Sequence, residues 1–151
     1  MSTMHWLLVK MTSNHIAISI IINAPVQRVW DELSAWERQG DWMLATKIWV
    51  TSEIREGVGT EIEALTGFGK LGILDVMRVT SWDPPYSADV IHTGSIIKGT
   101  GRFELVATSA TTTRFNWSEE IIAPRLIFLA LLPGLYSGVR ISLFRFARTF
   151  R

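Results

Sequence analysis

A chain of 151 residues is long enough for one domain with its own core and short for two. Hydrophobic residues at 48% and charged residues at 19% exclude a disordered or highly charged chain, and the absence of Cys excludes disulfides and thiolate metal sites. The net charge of +1 conceals an asymmetry: residues 1–121 carry all 14 acids and ten of the 15 Lys/Arg, whereas residues 122–151 carry five Arg and no acid. A basic C-terminal segment can face an anionic membrane, or it can be the solvated face of a helix. Seven Trp and seven Phe give more aromatic area than a small core needs, enough to line a pocket or a contact surface.

At the N-terminus the apolar patch Trp6-Leu7-Leu8-Val9 is shorter than a secretory core of about 7–15 residues and lacks a small-residue cleavage pattern. Met4 and Met11 are further candidate starts. Residues 1–14 are expected to form a poorly ordered extension and 15–151 a single domain. His15–Ile22 alternates, with Ile16, Ile18, Ile20 and Ile22 on one face, and predicts a strand. Pro25 suits a first helical position, and Val26, Val29, Trp30, Leu33 and Trp36 follow at helical spacing, predicting an amphipathic helix that ends near Gly40.

From Leu44 to Ile122 the pattern is strands and turns. The predicted strands are Thr46–Glu53, Gly59–Thr66, Leu71–Trp82, Ala88–Thr93, Gly99–Thr108 and Thr113–Ile122, joined by short Gly-, Pro- and Ser/Thr-rich turns that favour antiparallel hairpins. After Pro124 a helix of up to about 26 residues is predicted. Its first half, Leu126–Leu132, is apolar all round, and Pro133-Gly134 should kink or interrupt it. The apolar stretch Leu126–Tyr136 is shorter than the about 20 residues of a membrane span, so a soluble, cytoplasmic protein is expected. In the second half Val139, Leu143, Phe146 and Phe150 share one side. Ile141 and Phe144 fall among Arg140, Arg145, Arg148 and Arg151 on the other, a pattern that suits peripheral contact with a membrane surface or a homodimer contact.

Several stretches resemble the polyketide cyclase/dehydrase branch of the START-like superfamily. They are Ile22-Asn23-Ala24-Pro25 with Val29-Trp30 and Leu33; Gly57-Val58-Gly59-Thr60; Val79-Thr80-Ser81-Trp82-Asp83-Pro84-Pro85; Gly99-Thr100-Gly101-Arg102-Phe103-Glu104-Leu105; and Thr112-Thr113-Arg114-Phe115-Asn116-Trp117. Together they cover roughly residues 15–151. The resemblance implies an α+β helix-grip fold: a curved antiparallel sheet of about seven strands around a long C-terminal helix, with short helices after the first strand. It also implies a cavity between sheet and helix for a hydrophobic small molecule, and it brings no shared catalytic signature, so the chemistry must come from the site.

Alternate strand residues should face that cavity. Anchored on the apolar sets, the expected lining is Ile48, Val50, Ile62, Met77, Val79, Val90, Phe103, Leu105, Phe115 and Trp117, with Phe128 and Leu132 from the helix. The same faces bring Asp75, His92 and Glu119 into an apolar interior, where His92 with Glu119 or Asp75 could form an acid/base pair or simply orient a ligand. Gly67-Phe68-Gly69-Lys70-Leu71-Gly72 fits G-x-G-x-x-G but precedes a strand rather than a helix, and so reads as a hairpin. Loops in this position gate the cavity in the family, which makes Phe68 a candidate lid. Three dispersed His give no metal-ligand spacing, no Ser-His-Asp arrangement is legible, and the aromatics are not interleaved with Lys/Arg in the manner of RNA-binding sheets. No metal, cofactor or nucleic acid is therefore expected. The leading expectation is binding, for carriage or sensing, of a lipid, polyketide or quinone. Its rivals are an aromatase/cyclase or dehydratase using His92, Glu119 or Asp75, and an interaction protein whose cavity is filled and whose basic helix meets a membrane or partner.

Overall fold

The computed structural model describes residues 10–151. The patch at Trp6–Val9 lies outside them. Seven strands form one antiparallel sheet: β1 (Met11–Ile22), β2 (Thr46–Val50), β3 (Glu61–Phe68), β4 (Leu71–Asp83), β5 (Ser87–His92), β6 (Gly99–Ala107) and β7 (Thr113–Pro124). Their order across the sheet is β1-β7-β6-β5-β4-β3-β2. Every consecutive pair from β2 onward is a hairpin, as the short turns demand, and β1 closes on β7. A long helix, α2 (Arg125–Arg148), leaves the end of β7 and packs chiefly on β1 and β7. This is the helix-grip arrangement.

β1 begins at Met11, four residues before the apolar alternation starts, so residues 11–14 belong to the sheet. The reason is Asn14, which takes an inward position and is fully buried. Its amide donates to the carbonyls of Thr12, Ile121 and Ala123 at 3.0, 3.0 and 3.1 Å, and its Oδ1 accepts from Arg125 at 3.2 Å. A satisfied polar group thus occupies a core position and fixes the junction of β7 and α2.

The expected helix after Pro25 is two pieces, α1 (Val26–Leu33) and a 3₁₀ turn (Trp36–Asp41). The break at Ser34-Ala35 turns Trp36 toward β2 and β3, where it packs with Ile48, Ile62, Ala64, Val79 and Val90. Helix α2, in contrast, runs unbroken through Pro133. Proline there removes the bond to the Leu129 carbonyl, but both residues are exposed, so water can take that acceptor.

The two halves of α2 differ in how they are held. In the second half Leu143 and Phe146 are buried among the core aromatics. Ser142 Oγ accepts from the Leu44 amide at 2.8 Å, and Arg145 donates to the Asp41 carbonyl at 3.0 Å. In the first half Phe128 is buried and Leu132 and Leu135 are partly so, while Leu126, Ile127, Leu129 and Leu131 are exposed. By length and composition α2 could cross a membrane, with a mean hydropathy of 1.7 over eighteen residues. Its packed second half identifies it as the core helix of the grip.

Candidate functional site

Cross-strand partners fix which side chains face α2. Ile48 pairs with Ala64, Ile62 with Met77, Val79 with Val90, Ala88 with Phe103, Phe103 with Trp117 and Leu105 with Phe115. All of the strand residues expected to line a cavity therefore share the concave face, and Phe128 and Leu132 meet it from α2. Much of that face is nonetheless filled with side chains. Ile48, Ile62, Val79, Val90, Leu105, Phe115 and Trp117 are buried, with Val50, Met77 and Phe103 packed against them. The filling comes from aromatics: Trp30 meets Trp82 at 4.9 Å, Trp36 meets Trp82 at 6.0 Å and Phe103 at 6.3 Å, and Phe115 meets Phe146 at 5.8 Å between centroids. These residues form a packed floor over that part of the concave face.

Toward the other end of the sheet the concave face becomes polar at three positions. His92 is only 3% exposed and its imidazole lies between two carboxylates. Its Nδ1 is 2.7 Å from Asp75 Oδ1 and its Nε2 is 2.7 Å from Glu119 Oε2. The carboxylates are 16% and 14% exposed. Asp75 lies on β4, diagonally across from His92 on β5, since His92 pairs with Met77. Glu119 lies on β7 and must reach over β6 to meet His92. Strands stand about 4.8 Å apart, so this reach of two strand spacings requires an empty strand between. β6 provides it: the residues beneath are Gly99, paired with His92, and Gly101, paired with Glu119. A Cβ on Gly101 would stand 2.7 Å from Glu119 Oε1. Asp75 likewise faces a small residue, Ala64.

Burial alone would pull the His92 imidazolium down, but hydrogen bonds to Asp75 and Glu119, with their charges, reverse this and push its pKa up to about 10. Burial also raises Glu119, against the lowering effect of the His92 hydrogen bond and charge; the Asp75 charge adds to the rise. At neutral pH the ring is thus a cation donating both N–H groups. It has no free nitrogen with which to take a proton. The oxygens that take no hydrogen bond from the described residues are the second ones, Asp75 Oδ2 and Glu119 Oε1. The geometry therefore makes His92 the holder and gives the carboxylates the outward chemistry: accepting from a donor, or at Glu119 exchanging a proton. Among the described residues no three His, Cys, Asp or Glu converge as metal ligands.

Both shifts mean that the folded chain keeps protons which the unfolded chain releases. The stability contributed by His92 is complete below its ordinary value of 6.5 and is lost as pH rises toward about 10, and ionising Glu119 above its usual range costs in the same direction. The unfolding free energy from urea melts is expected to fall between pH 6.5 and 9.5, with a slope approaching about 1.4 kcal/mol per pH unit for one proton. A His92→Gln chain should show a flatter profile over that range.

Phe68, the candidate lid, sits at the tip of the β3–β4 hairpin and is 77% exposed, so it does not cover the triad here. The G-x-G-x-x-G stretch is that hairpin. Gly67 approaches Leu71 so closely that a Cβ would lie 2.0 Å from its carbonyl oxygen, and Gly69 takes a φ of 60° in the turn. Trp82 and Trp36, which close the floor, were not among the expected lining residues. A β-bulge between Val79 and Ser81 reverses the alternation and turns Trp82 inward, and sequence carries little signal for that.

No family model matches the sequence, and no curated protein matches it. In structure the chain is similar to the Zhui aromatase/cyclase from Streptomyces sp. R1128, with a TM-score of 0.73 at 13% identity, covering 93% of this chain and 97% of that one. It is similar to a START superfamily protein from Mycobacterium smegmatis, with a TM-score of 0.71 at 10% identity over 87% and 94% of the two chains. A third similar structure is norcoclaurine synthase from Thalictrum flavum in complex with dopamine and hydroxybenzaldehyde, with a TM-score of 0.70 at 12% identity over 93% and 88%. At these identities the likeness is one of fold alone, and the fold is the helix grip.

Proposed function

We propose that the chain binds an apolar small molecule carrying a hydrogen-bond donor, such as a hydroxyl, phenol or amine, at the end of its grip that carries His92. The observation that carries this reading is the His92 imidazolium held at 2.7 Å by two carboxylates on an otherwise apolar concave face. Two carboxylates and one cation leave a surplus of acceptors in a setting of low polarity, where a donor is worth more than in water. Ile73 and Ile121, two residues from Asp75 and Glu119 on the same strand faces, supply apolar surface beside the triad, and burying ligand area there contributes about 25 cal/mol per Å². The similar plant synthase, whose structure holds dopamine and hydroxybenzaldehyde, supports this reading.

Native mass spectrometry of the protein as purified is expected to show a co-purified apolar mass, reduced at least tenfold in occupancy in Asp75→Asn/Glu119→Gln. A chain that arrives empty and takes up no phenol, amine or alcohol of any chain length would overturn the reading.

The raised Glu119, with an oxygen left over, favours a second reading: enolisation, cyclisation or dehydration of the bound molecule. In it Glu119 carries the proton, His92 positions the carboxylate and Asp75 holds the ring. Turnover abolished in Glu119→Gln, with ligand still bound, would distinguish this from carriage.

A further inference from the structure

The end of the sheet that carries the His92 triad gathers an unusual amount of exposed apolar surface. Pairing of Met77 with His92 and of Gly99 with Ile121 puts four features at one end: the β3–β4 hairpin tip, the β5–β6 loop, the β7–α2 junction and the start of β1. Each projects apolar side chains. The hairpin exposes Phe68 at 77% and Leu71 at 82%, with Ile73 behind them, and its opposite face carries Leu65 and Leu74. The β5–β6 loop exposes Ile96 at 64%, and the first turns of α2 expose Leu126 at 82% with Ile127 and Leu131.

The rim of this end is basic. Lys10, Lys70, Lys98 and Arg125 are exposed on the same rim, one in each feature. The acids nearby are committed elsewhere: Asp75 and Glu119 to His92 inside the grip, and Glu120 to His15 and Ser13 on the convex face. Apolar side chains flanked by cations on the rim are what an anionic bilayer surface accepts. The apolar groups enter the acyl boundary while Lys and Arg stay among the headgroups.

We propose that this end of the molecule docks on an anionic lipid surface, with the Phe68–Leu71 hairpin tip and the first two turns of α2 as the inserting elements. This surface is distinct from the Arg140, Arg145, Arg148 and Arg151 face. That face lies on the other half of α2, and there Arg145 already donates to the Asp41 carbonyl and Arg140 stacks on Phe144 at 5.6 Å.

Flotation of the full chain with vesicles tests it, using phosphatidylcholine alone and phosphatidylcholine with 30% phosphatidylserine or phosphatidylglycerol at low and high salt. Binding is expected only to the anionic vesicles and is expected to weaken as salt rises. The pair Phe68→Ser/Leu71→Ser, whose side chains are too exposed to matter for folding, should weaken it about tenfold or more, and Lys70→Glu/Lys98→Glu comparably. Arg140→Glu/Arg148→Glu should bind as the parent does. Three results overturn the proposal: no flotation of the parent chain, loss of binding only in the Arg140/Arg148 pair, or self-association in sedimentation velocity that Phe68→Ser/Leu71→Ser abolishes without any vesicle binding.

Discussion

A His92→Leu chain is expected to lose about 3 kcal/mol of stability at pH 7, read as a fall in the urea midpoint. Leucine fills the space but removes the cation shared by Asp75 and Glu119, leaving two carboxylates at 16% and 14% exposure facing each other across an apolar surface. Breaking a buried ion pair by removing one partner costs about 3–5 kcal/mol, and the partial exposure places this case at the lower end. Glu119 can escape by taking up a proton, since burial already raises it. Part of the loss should therefore return as pH is lowered toward 5. Adding Asp75→Asn and Glu119→Gln to His92→Leu should recover most of the rest, because neutral groups of the same shape carry no comparable desolvation cost. Equal midpoints for the parent and His92→Leu at pH 7 would mean that the three groups do not act as a unit.

The second large effect concerns the other end of α2. Phe146 is fully buried and meets Trp42 at 4.6 Å, Phe150 at 5.1 Å and Phe115 at 5.8 Å. Phe146→Ala is expected to cost about 4 kcal/mol, the sum of lost transfer free energy and a cavity that rigid aromatic neighbours cannot collapse into. For a chain of this length that lowers Tm by roughly 10 °C in a thermal melt. Leu126→Ala, at the exposed start of the same helix, should move Tm by no more than about a degree. Similar shifts for both would show that the helix is held evenly along its length.

The contrast explains what the sequence could and could not show. Strand positions and the concave face were legible because the alternation of Ile16, Ile18 and Ile22, or of Phe103 and Leu105, is physical: only one face of this sheet meets a core. The same alternation placed Asp75, His92 and Glu119 on that face without placing them in contact. Their meeting depends on diagonal pairing of β4 with β5 and on a reach across β6, and neither is visible until hairpin registers are fixed. The filled floor was illegible for a related reason. Trp82 faces inward only because one bulge reverses its parity, and Trp36, legible as part of the helix's apolar stripe, reaches β2 and β3 because that helix breaks at Ser34-Ala35. Asn14 was missed at the N-terminus because a polar residue in a core position looks like the end of a strand. Pro133 was read as an interruption, although on an exposed stretch of helix its missing donor costs little.

The bare stretch of β6 beneath the triad has a consequence for how this protein would appear in a mutational survey. Such surveys truncate side chains and treat glycine as a position with nothing to remove. At 101 the informative change is an addition: one methyl group, the smallest substitution there is, would stand 2.7 Å from a carboxylate oxygen of Glu119. A scan that skips glycines would attribute the site to three ionisable residues and overlook the vacancy that lets the outermost of them arrive. In a sheet of this kind a site can be specified as firmly by where the chain carries no side chain as by where it does.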